Sequence, residues 1–266
     1  MKPFEIYSPT VPAVPIVVSV PHCGTLFPDD IRDEYKASLI TTPDDTDWFV
    51  DKLYDFAPSM GITMVTAVYS RWVIDLNRDP DSKPLYSDGR IITALCPATN
   101  FLGEPLYKDE RNTVTDEEVK RRYELYYKPY HAKVQELLND LKAKFGRVLL
   151  WDCHSIRQVV PTIQKEKFPD LILGDADGKS ASAELIQTTL DTLSSDIYSL
   201  SHNHPFKGGT ITRTFGKPSA NQHALQLEMP KVHYMDDVEV NYHEARAQHM
   251  QQLLKRNFQQ LIAQLS

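Results

Sequence analysis

Two histidines stand where apolar runs stop. Ile16-Val17-Val18-Ser19-Val20 leads through Pro21 to His22, and Arg147-Val148-Leu149-Leu150-Trp151 leads into Asp152-Cys153-His154-Ser155. An imidazole at a strand end is a metal ligand, a general base or a hydrogen-bonded loop residue. Two of them can converge on one point, because ligands of open α/β sheets bind outside the carboxyl ends of the strands. Asp44, Asp45 and Asp47 precede the apolar stretch that begins at Trp48. One of them is expected to cap a helix start, and three exceed what a cap requires. A carboxylate there would complete a His/His/carboxylate set, which suits zinc with its fourth position left to water.

Asp152 and His154 occupy alternate positions and share one side of an extended strand. Asp152 can therefore act as an outer acceptor that orients the imidazole. A Ser-His-Asp triad with Ser155 as nucleophile is the rival. It fits poorly, because Ile156-Arg157 follows where a nucleophile elbow needs glycine. Glu228 ends another apolar run, Ala224-Leu225-Gln226-Leu227; Lys231 could cap it, but a general base beside a metal site is the better use of that carboxylate. Arg71, Asn77, Arg78, Arg157 and Arg213 lie in turns and at run ends of an acidic chain and read as anion recognition, since guanidinium binds carboxylate through a two-pronged fork. Lys207-Gly208-Gly209-Thr210 lacks the spacing of a phosphate loop and reads as a place of close backbone approach.

The elements that would position these groups alternate in type. Residues 15–20, 63–67, 72–76, 147–155, 171–174 and 224–228 read as strands, and the glycine loop is expected to feed a further strand up to Arg213. Helices are expected over 28–36, 48–56, 115–144, 181–193 and 237–261. Thr115-Asp116-Glu117-Glu118 forms a capping box, and Pro129 kinks or divides the helix it opens. Residues 79–110 are irregular, and so long a loop in a compact domain tends to be functional. The pattern predicts one domain over 1–266, a three-layer α/β/α fold around a mixed, mostly parallel sheet.

The net charge of −7 and the absence of a basic tail argue against nucleic acid. No run reaches the ~18 apolar residues of a membrane span. Three cysteines without a C-x-x-C pair fit a reducing, cytoplasmic setting. The expected partner is a small molecule, with the chain a monomer or small homo-oligomer.

Taken jointly, several motifs resemble the N-formylglutamate amidohydrolase family. They are Ser19-Val20-Pro21-His22-Cys23-Gly24-Thr25, Asp45-Thr46-Asp47-Trp48, Tyr69-Ser70-Arg71-Trp72-Val73-Ile74-Asp75-Leu76-Asn77-Arg78 and Trp151-Asp152-Cys153-His154-Ser155-Ile156-Arg157. Gly174-Asp175-Ala176-Asp177-Gly178, Lys207-Gly208-Gly209-Thr210-Ile211-Thr212-Arg213 and Gln226-Leu227-Glu228-Met229 follow. The resemblance implies a zinc-dependent fold related to carboxypeptidase-like enzymes, and hydrolysis of N-formyl-L-glutamate to formate and glutamate in histidine degradation. It also implies that Asn77-Arg78 hold a substrate carboxylate and that Glu228 is the base. Those relatives take a histidine and a glutamate from one His-x-x-Glu piece, whereas here Thr25 stands at the second position. The carboxylate ligand must come from elsewhere, and Asp47 is preferred to Asp45. The ligand set is then His22, Asp47 and His154, with Arg71 assisting at the oxyanion. Arg78, Asn77, Arg213 and Arg157 are the candidates for the two carboxylates of the dianion. Other N-acyl or N-formimino amino acids, or a non-catalytic carboxylate-binding protein, are the alternatives.

Overall fold

The computed structural model describes residues 2–83 and 93–265. Seven strands form one sheet in the order β1-β3-β2-β4-β7-β5-β6: β1 (Phe4–Tyr7), β2 (Ile16–Val20), β3 (Thr63–Ala67), β4 (Val148–Ile156), β5 (Leu171–Gly174), β6 (Leu200–His202) and β7 (Gln222–Pro230). The centre, β3-β2-β4-β7, is parallel, while β1 and the β5–β7 pairing are antiparallel. The mixed, mostly parallel sheet is as expected. β2, β3, β4, β5 and β7 are buried at every residue, which is why their sequences read as continuous apolar runs rather than alternating ones.

Helices cover both faces: α1 (Asp29–Arg32), α2 (Ala37–Ile40), α3 (Val50–Leu53), α4 (Asp116–Arg122), α5 (Lys128–Phe145), α6 (Ala183–Leu193), α7 (Thr210–Phe215) and α8 (Glu244–Leu265). Strand alternation divides the core in two. Val18, Leu149, Trp151, Cys153, Leu225 and Leu227 pack with α6 and α8. Val17, Val65, Leu150 and Ala224 face the other way, toward Tyr130, Val134 and Leu138 of α5. Each large apolar side chain so buried contributes about 1.5–3 kcal/mol. The same alternation turns Asp152, His154, Gln226 and Glu228 away from the α6/α8 core.

Several expectations are corrected. Trp72–Leu76 is a run of turns, not a strand. The glycine loop feeds the short helix α7, and the 48–56 helix shrinks to α3. The last helix begins only at Glu244, and Val240 lies exposed before it. Thr115 caps the helix, accepting from the Glu118 amide at 3.4 Å, but the reciprocal half of the capping box is not made, because the Glu118 carboxylate accepts from Arg121 and Arg122. A π-helical turn, Tyr123–Tyr127, divides that helix just before Pro129. The expected irregular stretch falls partly outside the described residues; from residue 93 to 110 it runs through turns and isolated bridges. Among the described residues no helix is long and apolar enough to cross a membrane.

Candidate active site

β4 and β7 run side by side in parallel, with His154 opposite Glu228. His22 lies in the turn just past β2, and its carbonyl accepts the amide of Asp47 at 3.0 Å. That bond brings the acidic loop to the sheet edge. Asp47 Oδ2 then lies 3.1 Å from His154 Nδ1 and 3.6 Å from His22 Nδ1. All three residues are buried, and one ligand atom from each falls within 4.8 Å of the others. The opposite ring nitrogens have their own carboxylates: His22 Nε2 donates to Asp75 at 2.8 Å, and His154 Nε2 lies 3.1 Å from Asp152. With those carboxylates beside Nε2, it is the Nδ1 atom of each ring that faces Asp47, an arrangement that suits metal ligation.

His22 Nδ1 and Asp47 Oδ1 are buried without any hydrogen-bond partner. Buried polar atoms are ordinarily satisfied, so these orphans, in one buried group with the imidazole of His154, fit a metal ion. The donor set of two imidazoles and a carboxylate fits zinc-like ions. Asp45, by contrast, is occupied: it accepts Trp72 Nε1 at 2.8 Å and the Phe101 amide at 3.0 Å. Burial pushes its carboxyl up to about 6, against the pull of Arg71. Asp45 ties two loops together, and Asp47 is the acid that faces both imidazoles.

Electrostatics organise the rest. Burial alone would raise Asp75, but Arg71, His22 and Arg78 outweigh it and hold its carboxyl well below the usual range. Arg71 Nη2 donates to Asp75 at 2.7 Å, and its guanidinium lies over the Phe101 ring at 4.7 Å. Burial also works against a charged His154, yet Asp152 and Asp47 lift it well above an ordinary histidine. For Glu228 the compensation is too small. Burial pushes its carboxyl up to about 8, against the opposing pull of His154.

Asn77 joins the site to the glycine loop. Its Nδ2 is 2.9 Å from His154 Nε2 and its Oδ1 accepts the Ile211 amide at 2.8 Å. A Cβ on Gly209 would come within 2.3 Å of that amide group, which explains the glycine. Arg78 donates to Thr93 at 2.8 Å, while its Nε is buried and unpartnered. Two expected residues are not brought together with these. Arg157 pairs with Asp44 and with Glu239, and Arg213 is exposed, its Nε donating to Gly208. Lys231 donates to the Asp44 carbonyl at 2.9 Å instead of capping Glu228. Asp75 is the residue that sequence reasoning passed over. Its only signal was a charge interrupting the apolar run Trp72-Val73-Ile74-Asp75-Leu76.

Fold and site together define an α/β protein with a candidate metal-assisted hydrolytic centre at the carboxyl ends of its parallel strands. A family model described as N-formylglutamate amidohydrolase matches residues 14–235, and the chain belongs to that family. It is 42% identical over 253 residues to an N-formylglutamate deformylase of Pseudomonas putida, covering 94% of this chain and 93% of the relative. The identity to the Pseudomonas aeruginosa deformylase is also 42%, over 84% and 83% of the two chains. A crystal structure of N-formylglutamate amidohydrolase from Ralstonia eutropha superposes with a TM-score of 0.81 at 27% identity, covering 100% of this chain and 98% of that one.

Proposed function

We propose that the protein hydrolyses the formyl amide of N-formyl-L-glutamate, releasing formate and L-glutamate. In this reading residues 1–266 form one catalytic domain that acts in the cytoplasm within histidine degradation. The family membership supports the reaction. The observation that carries the mechanism is the pair of orphaned buried atoms, His22 Nδ1 and Asp47 Oδ1, beside His154. These three residues would hold one divalent ion, zinc by donor type. Such an ion supplies polarisation of the formyl carbonyl and acidification of water.

The remaining work falls to the chain's own groups. Glu228 takes a proton from the water attacking the formyl carbon and returns it to the departing nitrogen, so water and amide become formic acid and amine, and the acid's proton passes to the amine to leave formate and its ammonium. Its raised affinity for a proton suits both transfers near neutral pH. Arg71 faces the negative charge that develops on the carbonyl oxygen. Asp75 and Asp152 keep the imidazole Nε2–H groups in place. Asn77 and Arg78 hold the α-carboxylate; the unpartnered Arg78 Nε is a donor available for it. A Glu228→Gln protein is expected to lose about 10²–10⁴-fold in kcat while binding zinc with unchanged stoichiometry. Near-full formate release by that variant would sink the mechanism.

A further inference from the structure

The loop that carries Arg71, Asp75, Asn77 and Arg78 has its backbone held from outside. Every carbonyl from Leu76 to Arg78 has a donor: His131 Nε2 at 2.8 Å for Leu76, the Thr210 amide at 3.4 Å for Asn77 and the Tyr127 hydroxyl at 3.0 Å for Arg78. A carbonyl only accepts, so Nε2 of His131 carries a proton. The Tyr127 and His131 rings are stacked with centroids 4.0 Å apart, and His131 also stacks on Phe215 of α7. Asn77, whose side chain reaches His154 and the Ile211 amide, is thus gripped between this ring pair and α7. Nearer the start of the loop, Arg122 donates to the Val73 carbonyl at 3.0 Å.

Arg122 and His131 are nine residues apart. On an unbroken α-helix that spacing is about 2.5 turns, which puts them on opposite faces. They serve one loop because the π-helical turn lies between them. There the Lys128 amide donates to the Tyr123 carbonyl, five residues back. One extra residue turns the rest of the helix by about 100°, and Tyr127 and His131 follow Arg122 onto the loop side. Pro129 has no amide to give a regular helical bond at this point. The wide turn, the proline and the stacked rings are thereby parts of one support.

We propose that Tyr127 and His131 are positioning residues: by pinning the carbonyls on either side of Asn77, they aim the Asn77 amide and the Arg78 guanidinium at the α-carboxylate of the substrate. The inference rests on the proposed function and deepens it. Both rings act through the backbone of the loop.

The test uses the zinc-loaded protein. Tyr127→Phe and His131→Phe each remove one donor and keep an aromatic ring, and the double variant removes both. The double variant is expected to raise KM for N-formyl-L-glutamate at least about tenfold while kcat stays within about threefold of wild type. On N-formyl-L-isoglutamine, whose α-carboxylate is replaced by an amide, KM should stay within about threefold. His131→Gln keeps an N–H for the Leu76 carbonyl and should hold the glutamate KM within about threefold of wild type. Equal losses on both substrates, or an unchanged glutamate KM in the double variant, would overturn the proposal. A His131→Gln protein as impaired as His131→Phe would assign the effect to ring packing and overturn it too. A crystal structure of the double variant decides independently of turnover. Asn77 displaced beyond hydrogen-bond reach of His154 supports the positioning role, whereas Asn77 and Arg78 in their wild-type places overturn it. If wild type releases formate from neither substrate, the proposed function fails, and the pinning of the loop stands or falls on that structure alone.

Discussion

Replacing Asp75 with asparagine keeps the side chain's shape and removes its charge, which makes it a sharp probe of the site. Asp75 is 1% exposed and serves four donors: His22 Nε2 at 2.8 Å, Arg71 Nη2 at 2.7 Å, the Asn77 amide at 2.9 Å and Arg78 Nη2 at 3.4 Å. Two unit charges about 4 Å apart are worth about 4 kcal/mol at an effective dielectric of ~20. The variant takes the counter-charge from one buried guanidinium, Arg71, and one partly buried one, Arg78. Breaking one side of a buried pair costs about 3–5 kcal/mol, and the asparagine oxygen recovers only part of that. Asp75→Asn is therefore expected to lower unfolding stability by about 3–5 kcal/mol in urea melts. The amide also presents an NH₂ or a weaker acceptor to His22 Nε2, so the tautomer is no longer held. Zinc affinity, read by competition with a chromogenic chelator, is expected to fall about 10–100-fold. A variant with the wild-type urea midpoint and wild-type zinc affinity would refute the reasoning.

Two further outcomes follow from groups around the same loop. His131 is stacked on Tyr127 with ring centroids 4.0 Å apart, its Nε2 is 2.8 Å from the Leu76 carbonyl, and burial lowers it to about 4, against that carbonyl's pull. Because the unfolded chain takes this proton near 6.5, stability is full above that pH and is lost as pH falls toward 4. The loss is about 2–3 kcal/mol after allowing for partial exposure, and pH-dependent melts of His131→Gln should show it flattened. Gly209→Ala would force its new methyl against the Asn77 amide. Overpacking of about 1–3 kcal/mol and a raised KM for N-formyl-L-glutamate are expected; an unchanged KM and midpoint would mean that Asn77 has room to move.

His22, His154 and Glu228 were legible because each interrupts or ends an apolar run that could only be a buried strand. Asp152 was legible because strand alternation fixes its side relative to His154. Trp72–Leu76 misled for a physical reason. It has the composition of a strand, yet its carbonyls are taken by side chains instead of a neighbouring strand: Trp72 by Tyr35, Val73 by Arg122 and Leu76 by His131. No local pattern announces partners that lie so far away in the chain. The same holds for Asp75, whose role depends on His22. Thr210–Phe215 carries β-branched residues and still forms a helix, since tertiary packing overrides so weak a preference. β1 is largely exposed and β6 is only three residues long, so neither left a buried period to read. Arg157 and Arg213 were chosen by charge alone, and charge does not reveal which acid answers it.

The order β3-β2-β4-β7 has a consequence for how the site comes into being. His22, Asp47, His154 and Glu228 belong to four segments separated by most of the chain, and none is useful until β2, β4 and β7 have paired. Loop closure must precede any reward from these contacts, which places their assembly late and makes it slow. An ion held by His22, Asp47 and His154 would recognise the finished fold and not the growing or unfolded chain. It would act as a lock on a structure already made, stabilising it with the logarithm of its excess over its dissociation constant, rather than as a seed around which the chain condenses.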